Sequence, residues 1–420
     1  MKKTPIFLII LSLFLTFIFA QEFNPQIDSL INQVSLDSLV KHVRILSGED
    51  SVRIGDSTYL IKTRASTASF HETKGHRIAA KYLVKILKQY CPQVIEQTLL
   101  FRDVDTVRNI IGIQEGKNYP DKKIIVSGHY DSITGNLDLS IAPGADDNAS
   151  GVASVLEAAR LISQIETAYT IYYILWDWEE VGGTGSEVFC LENIERTDLL
   201  AMLNVDMIGY DVLDSGVVCI YCRDVVSLKL GRLLENIGPI YNIELNIDVF
   251  DHGVGGDCIA FWGLNICPAV HIMENYLEDW ENRNPYYHTI NDKIEHFNMN
   301  YFHKSAKLVI ATTAELALNG LPTAIETESV TMLDQFQLFQ NYPNPFNAST
   351  NITYFLPFND CVVLRIYDLN GKLVQTISPG HQTSGIHHLL FDGSHLSSGI
   401  YFYQIQGADH SIVNKMILLK

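Results

Sequence analysis

Short, continuous apolar runs punctuate the chain between Leu36 and Asn319: Lys123-Ile124-Ile125-Val126-Ser127, Thr170 to Trp176 (TIYYILW) and Ala201 to Val205. Runs of this length predict strands covered on both faces, as in the interior of a sheet flanked by helices. Between them, Val152, Val155, Leu156, Ala159 and Ile162 recur at helical spacing and form one apolar stripe. Alternation of the two periodicities predicts an α/β fold, a doubly wound, mostly parallel sheet with helices on both faces. In such sheets ligands bind beyond the carboxyl ends of the strands. His129, Glu179, Glu180 and Asp206 each stand just past an apolar run, so the pattern marks a site before any motif is considered.

Near Gly320-Leu321-Pro322 the texture changes. Thr323 to Thr331 is polar, with Glu326 and Glu328, and reads as a linker over 321–335. Beyond it, short alternating runs such as Val362 to Tyr367, the turn signal Asp368-Leu369-Asn370-Gly371 and the run Gly399 to Ile405 predict a small β-sandwich over 336–420. At the other end, Met1-Lys2-Lys3, an apolar run from Ile6 to Phe19 and Ala20 read as a secretory signal peptide, residues 1–20, with Gln21 as the mature N-terminus. The run is short for a membrane span, and no other stretch is apolar enough to cross a bilayer. The α/β unit is then 21–320.

Composition narrows the function classes. A chain of 420 residues is too long for one core of ordinary size, which agrees with two domains. Hydrophobic content of 47% with 19% charged residues is globular. The net charge of −18 becomes −20 once Lys2 and Lys3 leave with the leader. An acidic chain without a basic cluster argues against nucleic acid and anionic membrane surfaces. Seven cysteines leave at least one unpaired. Cys219-x-x-Cys222 lies in an apolar run and reads as core or a strained bridge. Cys258 and Cys267 could pair, which spacing does not decide.

Five islands carry the candidate chemistry: Gly128-His129-Tyr130-Asp131, Pro143 to Gly151 with Asp146-Asp147-Asn148, Trp178-Glu179-Glu180, Asn204-Val205-Asp206-Met207 and Tyr287-His288-Thr289. Each has an ordinary reading: Asp146 or Asp147 as a helix cap, Glu179-Glu180 as a solvated loop end, His288 as a packed histidine. Together they offer two imidazoles, three carboxylates and one further carboxylate from separate elements, the ligand set of a two-zinc hydrolase. His252, His271 and His296 are rival imidazoles and read as structural.

The islands, in this order and spacing, resemble the M28 family of zinc peptidases. The resemblance implies that His129 and Asp206 bind one Zn2+ and Glu180 and His288 the other, with Asp147 bridging both. It also implies a cis peptide bond after Asp147. Asp131 would hold the second nitrogen of His129 and fix its tautomer. Glu179, left without an ion, would be the general base, and Tyr287 would steady the oxyanion. Trp178 stands where the family has glycine. Gly256-Asp257-Cys258 stands where many bacterial members have Ser-Asp-His, which puts substrate preference, not the metal ligands, in question. Ser51 to His71 is expected to form a lid or an extra hairpin.

Asn341 to Asn347 (NYPNPFN), Val363 to Leu373, Gly399-Ile400-Tyr401 and the terminal Lys415 to Lys420 resemble the C-terminal sorting domain of type IX secretion. That resemblance implies passage through the periplasm and the outer-membrane secretion machinery as a partner, ending in a secreted or surface-attached protein. The combined expectation is a secreted dinuclear zinc exopeptidase acting on peptides or proteins, with aminopeptidase ahead of carboxypeptidase. The metal islands carry no Arg or Lys to receive a substrate carboxylate, Arg223 and Arg283 being the nearest in sequence. A glutaminyl-cyclase-like enzyme and a non-catalytic binding protein of the same fold are the alternatives.

Overall fold

The computed structural model describes residues 22–420 except 66–72, 102–104, 136–138, 193–197, 276–282, 322–335, 339–340, 342–343, 357–358, 383–384 and 409. The signal-peptide reading and nearly all of the expected linker therefore lie outside the described residues.

Two short helices, α1 (Pro25–Ile31) and α2 (Leu36–Leu46), precede a hairpin of β1 (Ser51–Ile54) and β2 (Ser57–Leu60). The hairpin is the one expected between Ser51 and His71. After α3 (Lys74–Leu87) come β3 (Gln93–Phe101), β4 (Asp105–Gln114) and β5 (Tyr119–His129). Then α4 (Gly151–Ile162), β6 (Tyr169–Trp176), α5 (Thr184–Glu192) and β7 (Leu199–Val205) alternate. The unit closes with β8 (Val217–Tyr221), α6 (Val225–Ile240), β9 (Asn246–Phe250), α7 (Cys258–Gly263), β10 (Ala269–Glu274) and α8 (Met299–Asn319).

The strands form one eight-stranded sheet in the order β3-β4-β6-β5-β7-β10-β8-β9. Its centre, β6-β5-β7-β10, is parallel, and the chain runs parallel again at β8-β9. β4 meets β6 antiparallel, as β8 meets β10. The sheet is thus mixed, parallel where the apolar runs predicted it and reversed towards its edges. At the reversed pairs the direction follows from how loops return the chain, which no local pattern encodes.

The apolar stripe on α4 understated its environment. This helix is buried almost all round, between the sheet and the helices α2 and α8. Its one acid, Glu157, is satisfied there: it accepts from Ser35 N at 2.8 Å and Ser38 Oγ at 2.9 Å and pairs with Arg160. Fixing α4 matters for the site, because the segment immediately before it carries Asp147.

The C-terminal strands stack as predicted, into a sandwich. β11 (Gln337–Leu338), β12 (Ser349–Leu356) and β15 (Gly385–Asp392) make one sheet. β13 (Asp360–Asp368), β14 (Leu373–Gln382), β16 (Gly399–Gln406) and β17 (Ser411–Leu418) make the other. Phe346, Leu364, Phe391, Tyr403 and Met416 fill a core of their own. All seven cysteines are free thiols, six of them buried. Cys219 and Cys222 are core, and the pairing left open for Cys258 and Cys267 is absent.

Candidate metal centre

The strands deliver the candidate ligands to one place. His129 is the last residue of β5, Asp206 follows β7 directly, and Glu179 and Glu180 follow β6 within a tight loop entered through Trp178 at φ +56°. Asp147 sits in a wide helical turn, Ala145–Ser150, where the backbone leaves helical geometry at Asp147 and Asn148. The Asp147-Asn148 bond is cis, as the family resemblance implied.

Asp147 stands between two imidazoles. Its Oδ1 lies 3.2 Å from Nε2 of His129 and its Oδ2 3.0 Å from Nε2 of His288. His288 Nε2 is 2.9 Å from Glu180 Oε2, and His129 Nε2 is 3.5 Å from Asp206 Oδ1. Two triads result, His129–Asp147–Asp206 and Asp147–Glu180–His288, each with its ligand atoms within 4.8 Å of one another. Asp147 belongs to both. Glu179 belongs to neither, and its Oε2 faces His129 Nε2 at 3.8 Å.

The donor set fits a metal. Nε2 of His129, Nε2 of His288, Oδ1 of Asp206 and Oε1 of Glu180 are buried without a directed hydrogen bond. Groups of this kind normally find a partner. Mixed imidazole and carboxylate donors suit zinc, with no sulfur among them. The electrostatics agree. Burial pushes the Glu179 carboxyl well above the usual range, with Glu180 and Asp257 adding to it. Burial and Asp147 raise Glu180 to about 7. Burial would lower His288, but Glu180 and Asp147 outweigh it and lift the imidazole to about 11. Crowded acids that are driven to keep protons form a cluster that cations relieve.

Asp131 does more than the sequence suggested. Its Oδ1 faces Nδ1 of His129 at 3.4 Å, the expected imidazole partner. The same carboxylate accepts the backbone N–H of Glu179 and of Glu180, both at 3.2 Å.

The Asp147 turn is tied down by neighbours that touch no candidate ligand atom. Asp146 is one, and it is not in either triad: Oδ1 accepts from Gly209 N at 2.8 Å and Oδ2 from Asn284 Nδ2 at 2.9 Å. Asn148 donates to Val205 O at 2.8 Å, and Ser150 Oγ accepts from Ile208 N at 3.1 Å. Arg64 is fully buried and donates to the carbonyls of Leu46, Tyr130, Pro143 and Gly144 at 2.6–2.8 Å. Gly151 is obligatory here, since a Cβ would come within 2.3 Å of Asn148 Oδ1 and 2.4 Å of Val205 O.

Residues 109–313 match the family model described as peptidase family M28, and residues 340–419 match that of the secretion system C-terminal sorting domain. The α/β unit belongs to peptidase family M28. Leucine aminopeptidase 1 of Arthroderma gypseum is 31% identical over 209 residues, which is 46% of this chain and 54% of the relative. The chain spans about half the length of the curated relatives it matches. LapA aminopeptidase of Legionella pneumophila has the same fold, with TM-score 0.56 and 20% identity over 70% of this chain and 76% of LapA. The glutaminyl cyclase of Bacteroides thetaiotaomicron aligns with TM-score 0.52 and 21% identity, covering 68% of this chain and 98% of the cyclase. Likeness to both shows the architecture and leaves the reaction to the residues of the site.

In this M28 domain a pocket opens beside Asp147, Glu179 and Asp206, walled by Met207, Val254, Met273 and Tyr287, with Gly255, Gly256 and His271. Trp178, the residue in place of the family glycine, is buried and does not line it. Tyr287 does, stacked on His288 with ring centroids 3.8 Å apart. His252 and His296 are packing residues as read: His252 against Tyr221 and Phe250, His296 stacked on Tyr286 at 3.6 Å. His271 is in neither triad, and it lines the pocket as well. Its Nε2 lies 3.8 Å from Asp206 Oδ2, its Nδ1 is 3.3 Å from Asn204 Nδ2, and burial lowers its pKa. Nothing in the sequence separates it from the other histidines, because β10 is apolar around it.

Proposed function

We propose that this chain is an exported dinuclear zinc exopeptidase that removes N-terminal residues from peptides. The observation carrying the proposal is the pair of triads sharing Asp147, with a further carboxylate, Glu179, at their edge and open to the pocket. His129, Asp147 and Asp206 would hold one ion and Asp147, Glu180 and His288 the second. Two such ions would supply Lewis acidity, polarising a carbonyl and lowering the pKa of water.

The chain's own residues do the rest. Glu179 accepts a proton from the attacking water and returns it to the leaving amine. Its raised proton affinity, set first by burial, suits both halves of that task. Asp131 keeps His129 oriented and fixes the loop from which Glu179 projects. Tyr287 donates its hydroxyl towards the developing oxyanion. Met207, Val254 and Met273 give the pocket an apolar wall that receives the side chain of the terminal residue.

A free amine is the recognised end. The described residues of the pocket include no Arg or Lys for a substrate carboxylate. The named activities of the curated relatives support the same choice. The sorting-domain match supports export: a leader at 1–20, the peptidase at 21–320, a linker at 321–335 and the sorting module at 336–420, which the type IX machinery would receive. No helix among the described residues is long and apolar enough to cross a membrane.

The deciding experiment compares a free-amine leucyl anilide with its N-acetylated twin, with and without a chelator. Cleavage of the free form alone, lost on chelation and restored by zinc, is the expected result. Cleavage of neither by protein carrying zinc overturns the aminopeptidase reading and favours a carboxypeptidase or cyclase.

A further inference from the structure

Asp292 lies four residues after His288, outside both triads, and is buried. It takes three consecutive backbone N–H groups of the turn that presents Asp147. Ala145 N donates to Asp292 O at 3.2 Å, Asp146 N to Oδ1 at 2.9 Å and Asp147 N to Oδ2 at 3.1 Å. These are the amides at the start of a helical turn, which have no partner within the turn itself. The loop that carries Asp292 is itself rigid. Asp292 N donates to Thr289 O at 3.2 Å, Thr289 Oγ1 to Tyr286 O at 2.7 Å and Asn291 N to Thr289 Oγ1 at 3.1 Å. At the other end of this short loop, His288 O accepts from Gly135 N at 2.8 Å.

We propose that Asp292 is a positioning residue that sets the spacing between His288 and the shared ligand Asp147, and so joins the two halves of the metal centre. One loop supplies a ligand to the second half directly, through His288. It controls the ligand common to both halves indirectly, by holding the backbone of Asp147 with a carboxylate. The inference rests on the reading that these residues hold zinc. It adds that affinity for the pair of ions depends on a group that contacts neither.

Asp292→Asn tests it in the full-length protein. The amide keeps one acceptor but turns an N–H2 towards the other backbone N–H, so a donor faces a donor. Zinc affinity and stoichiometry, read by competition with a chromophoric chelator, are measured beside unfolding of the metal-free protein. The expected result is zinc held 10–100-fold more weakly, about the loss typical of an outer-shell partner, with metal-free stability little changed. A residue that only supports the fold would show the reverse, lower stability with affinity unchanged in the folded fraction, and that result overturns the proposal. Should the Asn variant fail to fold, Thr289→Ala replaces it: Asp292 stays in place while the loop slackens, and a smaller loss of affinity is expected. Unchanged affinity there overturns the proposal equally. Wild-type protein that takes up no zinc removes the dinuclear reading and the role of Asp292 with it. Wild-type uptake of two ions with unaffected variants removes the role alone.

Discussion

The carboxylate of Asp131 accepts the backbone N–H of Glu179 at 3.2 Å, so the residue that faces Nδ1 of His129 at 3.4 Å also holds the loop of the proposed base. An amide at 131 would turn a donor towards one of the two N–H groups that the carboxylate now accepts. Asp131→Asn is expected to lower kcat/KM about 10–100-fold while zinc content stays at the wild-type level. Steady-state kinetics beside metal analysis checks this, and full activity would remove Asp131 from the mechanism.

Glu179 is in neither triad, so its substitution should separate binding from chemistry. Glu179→Gln is expected to hold two zinc ions and to lose about 10²–10⁴-fold in turnover, the usual worth of a general acid–base. Retained hydrolysis would falsify the assignment, because no other carboxylate outside the triads lines the pocket among the described residues.

Tyr287 lines the pocket next to His288. If its hydroxyl meets the oxyanion, Tyr287→Phe lowers kcat about 10²–10³-fold with little change in KM. An effect confined to KM would instead make Tyr287 a substrate-binding residue.

Metal loading should release protons. In the metal-free centre Glu180 and Asp147 outweigh burial and raise His288 to about 11, and Asp206 and Glu179 outweigh it at His129 and raise that imidazole too, so protonated imidazoles are favoured there. A metal-bound imidazole has given up that proton, so affinity rises with pH and loading acidifies the medium. Calorimetry in two buffers of different ionisation enthalpy should give different apparent heats. Identical heats would mean that the centre is already deprotonated.

Far from the site, burial pushes His42 down to about 4 from 6.5, with Tyr82 Oη 2.6 Å from its Nδ1. The unfolded chain therefore binds the extra proton first, between those two values. The contribution of neutral His42 is intact above pH 6.5 and lost progressively as pH falls towards 4. By pH 4.5 the loss is about 2.5 kcal/mol. His42→Gln should flatten this part of the stability profile in denaturant titrations at pH 7 and 4.5. A profile as steep as that of the wild type would place the acid sensitivity elsewhere.

The candidate ligands were legible because their chemistry is unusual where they stand: charged or imidazole side chains at the ends of apolar strands, such as His129 closing β5 and Asp206 after Val205. Apart from Asp131, the groups that hold their backbone were not. Asp292, Asn148 and Arg64 act on backbone atoms brought close only by folding, and no spacing announces that a carboxylate at 292 will meet an amide at 147. Parallel pairing was legible at β5–β7 from uninterrupted apolar runs. The reversals at β4 and β8 were not, because the side-chain pattern of a strand reads alike in either direction. That His271 lines the pocket was not legible either: its neighbours in β10 describe a core strand, and the loop at Gly256 that packs beside its ring is distant in sequence.

Arg64 gives the molecule a boundary that family similarity does not trace. The matched peptidase segment begins at residue 109, yet the loop leading to Asp147 is pinned by a guanidinium 45 positions earlier, which also reaches Leu46 at the end of α2. A fragment trimmed to the matched segment would keep every candidate ligand and lose the guanidinium that now donates to the carbonyls of Tyr130, Pro143 and Gly144. The end of α2 and the segment carrying Arg64 are thus a clasp on the Asp147 loop, and a catalytic fragment of this protein is expected to need both.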